Sequence, residues 1–374
     1  MSDWTVFGVL NNLSTDLAVD WGGVALLPPG DPRIAREVAT NGGVARLLDG
    51  FTDQFGRGAE VSVLAVDRGV FPKGTGLEAT IDFRNALAVA VLTEQWQRAL
   101  VASWTGSGPR YSNAFAIYPY EPTKEPDRLI VHSPDLLGVD QASEFAGQTS
   151  PEIHPARLLE RHIDGPLIRA LRDRWSLRQV RKLKRRNETV LFRSLQIAMH
   201  ALTMPYLNRA TMFDQGISLA AWVSAMEILV HPGGTGRSDL ARVLQLLHNC
   251  DLNHPAVRRR GWKVRLGRAA HMRTNLVGSL YHRIYKARNA FMHGNAVTER
   301  DVATSGKATA KPLIFAAPVI YGKALQAYLG AARSDVGLEE DISGGGYSLR
   351  STGDKALLIA AGLLPDPKGR EDVT

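Results

Sequence analysis

The sequence predicts an α+β multidomain protein, with a β-rich N-terminal domain followed by an all-α helical bundle. Three observations predict it. The chain has 374 residues, more than one typical core needs. Its hydrophobic period changes near residue 150, from short β-branched or aromatic stretches to a helical spacing that persists. Its charge is uneven: Lys plus Arg against Asp plus Glu is 11 against 18 in residues 1–150, 26 against 10 in 151–300, and 8 against 9 in 301–374. The expected organisation is a β-rich domain over 1–135, a linker over 136–152, a bundle over 153–333 and a loose C-terminal extension over 334–374.

In order along the chain, "WTVFGVL" (4–10), "LAVDWGGVALL" (17–27), "AEVSVLAVD" (59–67), "LEATIDF" (77–83), "NAFAIYP" (113–119) and "RLIVHS" (128–133) have strand composition, punctuated by Gly, Pro and Asp. "ALAVAVLTEQWQRALVASW" (86–104) is helical in spacing. The linker, ending in "GQTSPE", offers no apolar period to bury. Beyond it, 155–186 is expected to form one or two basic helices, and 188–204 a helix stopped by Pro205. Ser218 is expected to cap a helix over 219–231, whose exit "PGG" terminates it, and Ser238 to cap another over 238–250. A helix over 274–293 carries the apolar stripe Leu276, Leu280, Ile284, Ala287 and Phe291, and a last one is expected over 317–332.

Several function classes are disfavoured by composition. The longest apolar runs, such as "ALLIAAGLL" (356–364), are too short to span a bilayer, so no membrane partner is expected. The N-terminus "MSDWTVFG" lacks the basic and apolar regions of a signal peptide, and Cys250 is the only cysteine, so a cytoplasmic location is expected. "HNCDLNH", with His248, Cys250, Asp251 and His254, lacks the paired spacing of a structural zinc site. The Gly-rich stretches "GGTGRSD" and "SGGGYSLRSTGDK" lack the context of a phosphate loop. Neither metal nor cofactor is expected.

The concentrated positive charge points instead to a polyanion, with RNA the expected partner. "RQVRKLKRR" offers Arg178, Arg181, Lys182, Lys184, Arg185 and Arg186 as phosphate contacts. "RRRGWKVRLGR" offers Arg258, Arg259, Arg260, Lys263 and Arg265, with Trp262 expected to stack on a base between cations.

Five Arg/His pairs have four to six residues between them: Arg157/His162, Arg193/His200, Arg242/His248, Arg265/His271 and Arg288/His293. Only the last, in "KARNAFMHGN", has an amide directly after the arginine, apolar residues filling the gap and a glycine directly after the histidine. Gly294 suits the left-handed position that ends a helix, which places His293 beside the exposed terminal carbonyls. On an ideal helix Arg288 and His293 stand roughly 140° apart. A shared site therefore needs the last turn to unwind, the arginine to reach round, or a second copy of the helix.

"RNAFMHG", preceded by "LYHRIYKA" and lying some way after "LAAWVSAMEILV" with its Ala225, Glu227 and Leu229, resembles the HEPN superfamily, and most closely its Apea-like branch. The likeness covers roughly 188–332. It implies a four- to five-helix bundle, a homodimer with a composite active site, and metal-independent cleavage of RNA in antiphage defence or a toxin system. It implies that Arg288 neutralises the scissile phosphate, that His293 is the general acid or base and that Asn289 orients phosphate or imidazole. Glu227, Tyr285 and Lys286 are candidate supporting residues. The N-terminal domain would sense or restrain, through a regulatory partner or ligand. The other function these residues allow is a non-catalytic nucleic-acid-binding or assembly protein that keeps the bundle for dimerisation; the intact Arg288, Asn289, His293 set favours the enzyme.

Overall fold

The computed structural model describes residues 3–53, 55–101, 109, 111–122, 129–131, 148–149, 155–163, 165–183, 185–203, 211–236, 239–267, 270–307, 309–331 and 349–364. The architecture is α+β, an N-terminal β-sheet region followed by many helices. The chain forms two compact units. One comprises Met1–Ala88, Ser107–Asp164 and Arg172–Lys184, and the other Val89–Gly106, Gly165–Leu171 and Arg185–Thr374. The units are thus interleaved rather than contiguous. The expected linker, apart from residues 148–149, lies outside the described residues.

In the first unit, β1 (Trp4–Leu10), β2 (Leu13–Thr15), β3 (Val19–Asp20) and β4 (Val24–Leu27) precede two short helices, α1 (Ala35–Thr40) and α2 (Gly42–Asp49). β5 (Phe51–Thr52) and β6 (Ser62–Asp67) follow. A four-stranded antiparallel sheet has the order β1-β6-β4-β3, with Leu10 opposite Ser62 and Leu26 opposite Leu64. Its core is Leu10, Leu26, Leu27, Val63 and Leu64. The turn into β4 needs glycine, because Gly23 has φ 122° and a Cβ there would lie 2.8 Å from Phe71.

Residues 77–83, expected as a strand, instead begin α3 (Leu77–Val101). Ala79, Phe83, Ala86, Leu87 and Ala90 recur at helical spacing and are buried, so burial favours helix over the β-branched composition. Trp175 Nε1 donates to Ala79 O at 2.9 Å, and its ring meets Phe83 edge-on. Residues 113–119 are likewise not a strand. Ser112–Phe115 form a single 3-10 turn, whose Asn113 carbonyl accepts from Asn12 Nδ2 at 3.1 Å. β7 (Tyr120–Pro122) and β8 (Leu129–Val131) pair with each other, β9 (Gln148–Thr149) pairs with β5, and β10 (Ala156–Leu158) pairs with β2. β10 and α4 (Glu160–Ile163) therefore occupy the start of a stretch expected to be helical throughout. α5 (Pro166–Trp175) ends in a π-helical turn over Ser176–Val180.

The second unit is built around α7 (Met212–Leu229), on which α6 (Arg186–Thr203), α10 (Leu276–Met292) and α11 (Leu313–Leu329) pack. α8 (Leu240–His248), α9 (Pro255–Arg258) and a hairpin of β11 (Trp262–Arg265) and β12 (His271–Thr274) lie between α7 and α10 in sequence. The cap of α7 lies seven residues before the expected one. Thr211 caps it in a reciprocal box with Asp214, and Ser218 is buried in its interior. Asp239 caps α8, and Ser238 lies outside the described residues. Ser194 Oγ ties the bundle together, donating to Ala225 O at 2.7 Å and lying 2.6 Å from Tyr321 Oη.

The expected loose extension contains α12 (Leu349–Ala360), which packs on α11. Ala356 to Ala361 are buried, so the apolar run there serves as core. Asp354, fully buried, accepts from Asn253 N at 2.7 Å and His254 N at 2.8 Å and pairs with Lys323 Nζ at 3.2 Å.

Candidate active site at the end of the motif helix

α10 is fixed at both ends. Asn275 caps it by accepting from Gly278 N at 2.9 Å, while its own amide donates to Leu247 O at 3.1 Å. Leu276, Leu280, Ile284 and Ala287 are buried, as the stripe requires. Phe291 lies over Gly216 of α7, where a Cβ would come within 2.6 Å of its ring. The helix ends as its sequence anticipates: His293 N donates to Asn289 O at 3.0 Å, Gly294 takes φ 71°, and Asn295 N donates to Ala290 O at 2.9 Å.

Arg288 is the hub of a cluster. Its Nη2 donates to Glu227 Oε2 at 3.0 Å, its Nη1 to Asn289 Oδ1 at 2.9 Å, and its guanidinium carbon lies 5.2 Å from the Tyr285 ring centre. Arg288 and Glu227 side chains are 23% and 21% exposed, so the pair is partly desolvated but open to an occupant. A guanidinium has five N–H donors, and the named bonds leave some unused. Burial pushes the Glu227 carboxyl above its ordinary value, with Arg288 pulling the other way. Beneath them, Tyr281 is wholly buried and its hydroxyl has no hydrogen-bond partner among the described residues. Burial, and then the Glu227 charge, hold that phenol protonated well above the usual range.

His293 is exposed and makes no side-chain hydrogen bond or ion pair among the described residues. Thus Arg288, Asn289, Glu227 and Tyr285 come together, and His293 stands apart at the terminus. Lys286 is exposed, and its charge acts on His282 and Asp301. Beside the terminus, Phe213, Ile217 and Met292 are exposed apolar side chains, at 71%, 37% and 62%. A cavity of about 570 Å³ lies among Met212, Gln215, Arg300, Ser305 and Lys307.

The other expected phosphate contacts are divided between the two units. Arg178 is bound by Glu78 and by Asp82, the latter at 3.0 Å, within the first unit, so it is not a free cation. Arg181, Lys182 and Arg185 are exposed, but the run is broken between the π-helical turn and α6, and Lys184 lies outside the described residues. Arg186 donates to the His231 carbonyl and covers Gly233, which makes it a closure for the exit of α7. Arg258, Arg259 and Arg260 are exposed. Trp262 stands on the opposite face of β11 from Lys263 and Arg265, so it does not lie between cations as expected.

Three members of the "HNCDLNH" group have separate roles. His248 Nε2 is 3.0 Å from Thr274 Oγ1, Cys250 Sγ donates to Lys323 O at 3.4 Å, and His254 caps α9. Burial raises the Cys250 thiol to about 12. Among the described residues no helix is long and apolar enough to cross a membrane. In comparisons with family models, curated proteins and solved structures, the chain finds no match.

Proposed function

We propose that the second unit is a metal-independent endoribonuclease of the HEPN type, acting in the cytoplasm as a homodimer in antiphage defence or a toxin system. The observation that carries this reading is the cluster on α10, in which Glu227 and Asn289 hold Arg288 while His293 remains free at the helix end. RNA supplies its own nucleophile. Its 2′-oxygen attacks phosphorus, the bond to the 5′-oxygen breaks, one proton leaves the 2′-hydroxyl and one is delivered to the leaving oxygen. Arg288 stabilises the charge that grows on the phosphoryl oxygens, and His293 moves one of the two protons. His293 of a second copy would move the other. The exposed Phe213, Ile217 and Met292 beside the terminus support such a pairing.

The purified protein should cleave RNA in a strong chelator and leave 2′,3′-cyclic phosphate ends, and a 2′-deoxy nucleotide at the scissile position should block cleavage. His293→Ala should lower the rate by about 10²–10⁴ with fold and RNA binding retained. Arg288→Ala should abolish cleavage and also weaken binding. A requirement for Mg²⁺, or a His293→Ala protein that cleaves at the parental rate, would overturn the proposal. One observation favours the non-catalytic alternative: Glu227 already neutralises Arg288, and no bond joins Arg288 to His293. Under that alternative, RNA binding without any cleavage is the outcome.

A further inference from the structure

The β11–β12 hairpin has an unusual charge pattern. Lys263 stands directly opposite Arg273, and Arg265 opposite His271. All four are exposed on one face. The other face carries Trp262, Val264, Met272 and Thr274, of which Val264 and Thr274 are buried. Like charges directly opposite one another weaken a ladder, and a two-stranded ribbon has little stability to spare. The side chains of Lys263, His271 and Arg273 make no hydrogen bond or ion pair among the described residues, so no acid is bonded to them to relieve the repulsion. Arg265 Nε donates to Gly267 O at 2.6 Å, which holds that guanidinium at the turn. Arg258, Arg259 and Arg260 extend the same sign of charge immediately before β11.

We infer that this hairpin face binds the sugar–phosphate backbone of RNA. Charge complementarity selects the occupant, and the choice of RNA among polyanions rests on the proposed ribonuclease reading. Alternate residues on a strand are about 6.8 Å apart, so each strand presents two basic groups in file to successive phosphates. Trp262 is turned away from this face, where the one ring among these four side chains is the His271 imidazole, and stacking on a ring is tolerant of base sequence. Binding at the hairpin is therefore independent of base sequence. β11 packs against α10, where the backbone of Arg265 lies close to His282. From His282 to the end of α10 at Met292 is roughly 15 Å along the axis, so one extended strand reaches from the hairpin to the site.

The test uses a labelled 2′-O-methyl oligoribonucleotide, which cannot be cleaved, titrated with the full chain over a series of KCl concentrations. Lys263→Gln/His271→Gln/Arg273→Gln should bind more weakly, and each lost single-strand phosphate contact should reduce the slope of log affinity against log salt by about 0.7. Its melting temperature should be unchanged or higher, since it loses the opposed charges. Arg273→Gln alone should lose about one such contact, which keeps the test intact if the triple variant folds poorly. Unchanged affinity and slope in the folded variants would overturn the inference. So would retained RNA binding alongside lost binding to phosphatidylserine vesicles, which would make the face a membrane contact. Because the probe is not cleaved, an inactive site and an idle hairpin give different results.

Discussion

Glu227 on α7 and Arg288 on α10 form a 3.0 Å ion pair across the bundle, and the Tyr285 ring 5.2 Å from the guanidinium closes its other side. The glutamate thereby sets the direction of the arginine. An ion pair this exposed contributes on the order of 1 kcal/mol or less to stability, so its main effect is on position. Glu227→Ala should leave the fold intact but lower the cleavage kcat by up to about 10²-fold, the scale of a 1 Å misplacement. Glu227→Gln, which still accepts a bond, should recover much of the loss. Equal rates in all three proteins, measured at saturating RNA, would show that Glu227 does not position Arg288.

Burial raises the Glu227 carboxyl in the folded protein above its unfolded value of 4.5. A group of this sign contributes stability that is complete below the unfolded value and is lost as pH rises through the folded one. Glu227→Gln does not titrate. Urea unfolding at a series of pH values should therefore show the variant gaining on the parent from about pH 4.5 towards neutrality. A gap of the opposite sign would mean that Arg288 outweighs desolvation.

Gly216 is where α7 makes room for Phe291, since a Cβ there would approach the ring to 2.6 Å. Alanine normally stabilises a helix interior by about 0.5–1 kcal/mol over glycine, but overpacking costs about 1–3 kcal/mol. Gly216→Ala should therefore lower unfolding stability. In a Phe291→Ala background the same change should be neutral or stabilising. An additive double mutant would show that the ring moves aside freely.

Asp354→Ala would leave Lys323 buried without its counter-charge and two backbone amides, Asn253 N and His254 N, without their acceptor. Breaking a buried pair from one side costs about 3–5 kcal/mol. Replacing both partners with apolar residues should cost less, and denaturant midpoints for the two variants distinguish these outcomes.

The core helices were legible because their burial follows local periodicity, and β1 and β6 because short apolar, β-branched runs are bounded by turn residues, although β6 is buried almost throughout. α3 was misread over 77–83 because its β-branched residues suggest a strand, whereas the decisive fact is the helical spacing of Ala79, Phe83 and Ala86. α12 was missed because its anchors, Lys323 and the amides of Asn253 and His254, are remote in sequence. In the site, Arg288 and Asn289 are neighbours and the helix terminus has a local signature. The bond from Arg288 to Glu227 spans 61 positions, and no local spacing encodes it. The inward turn of Trp262 was within reach, because "WKVR" and "HMRT" both alternate.

Helix α3 passes from one compact unit to the other at Ala88. Its later turns are built into the helical unit: Thr93 lies under Gly322, Gln97 against Gly353, and Trp96 stacks on Phe315 at 5.4 Å. Discarding residues 1–150 as though they were a detachable module would therefore strip these side chains from the helical unit and leave apolar surface uncovered. No single cut in the chain separates the two units. Any natural recombination that exchanged the N-terminal part would have to preserve the residues from Val89 onward, and shuffling of this protein should favour crossover points before them.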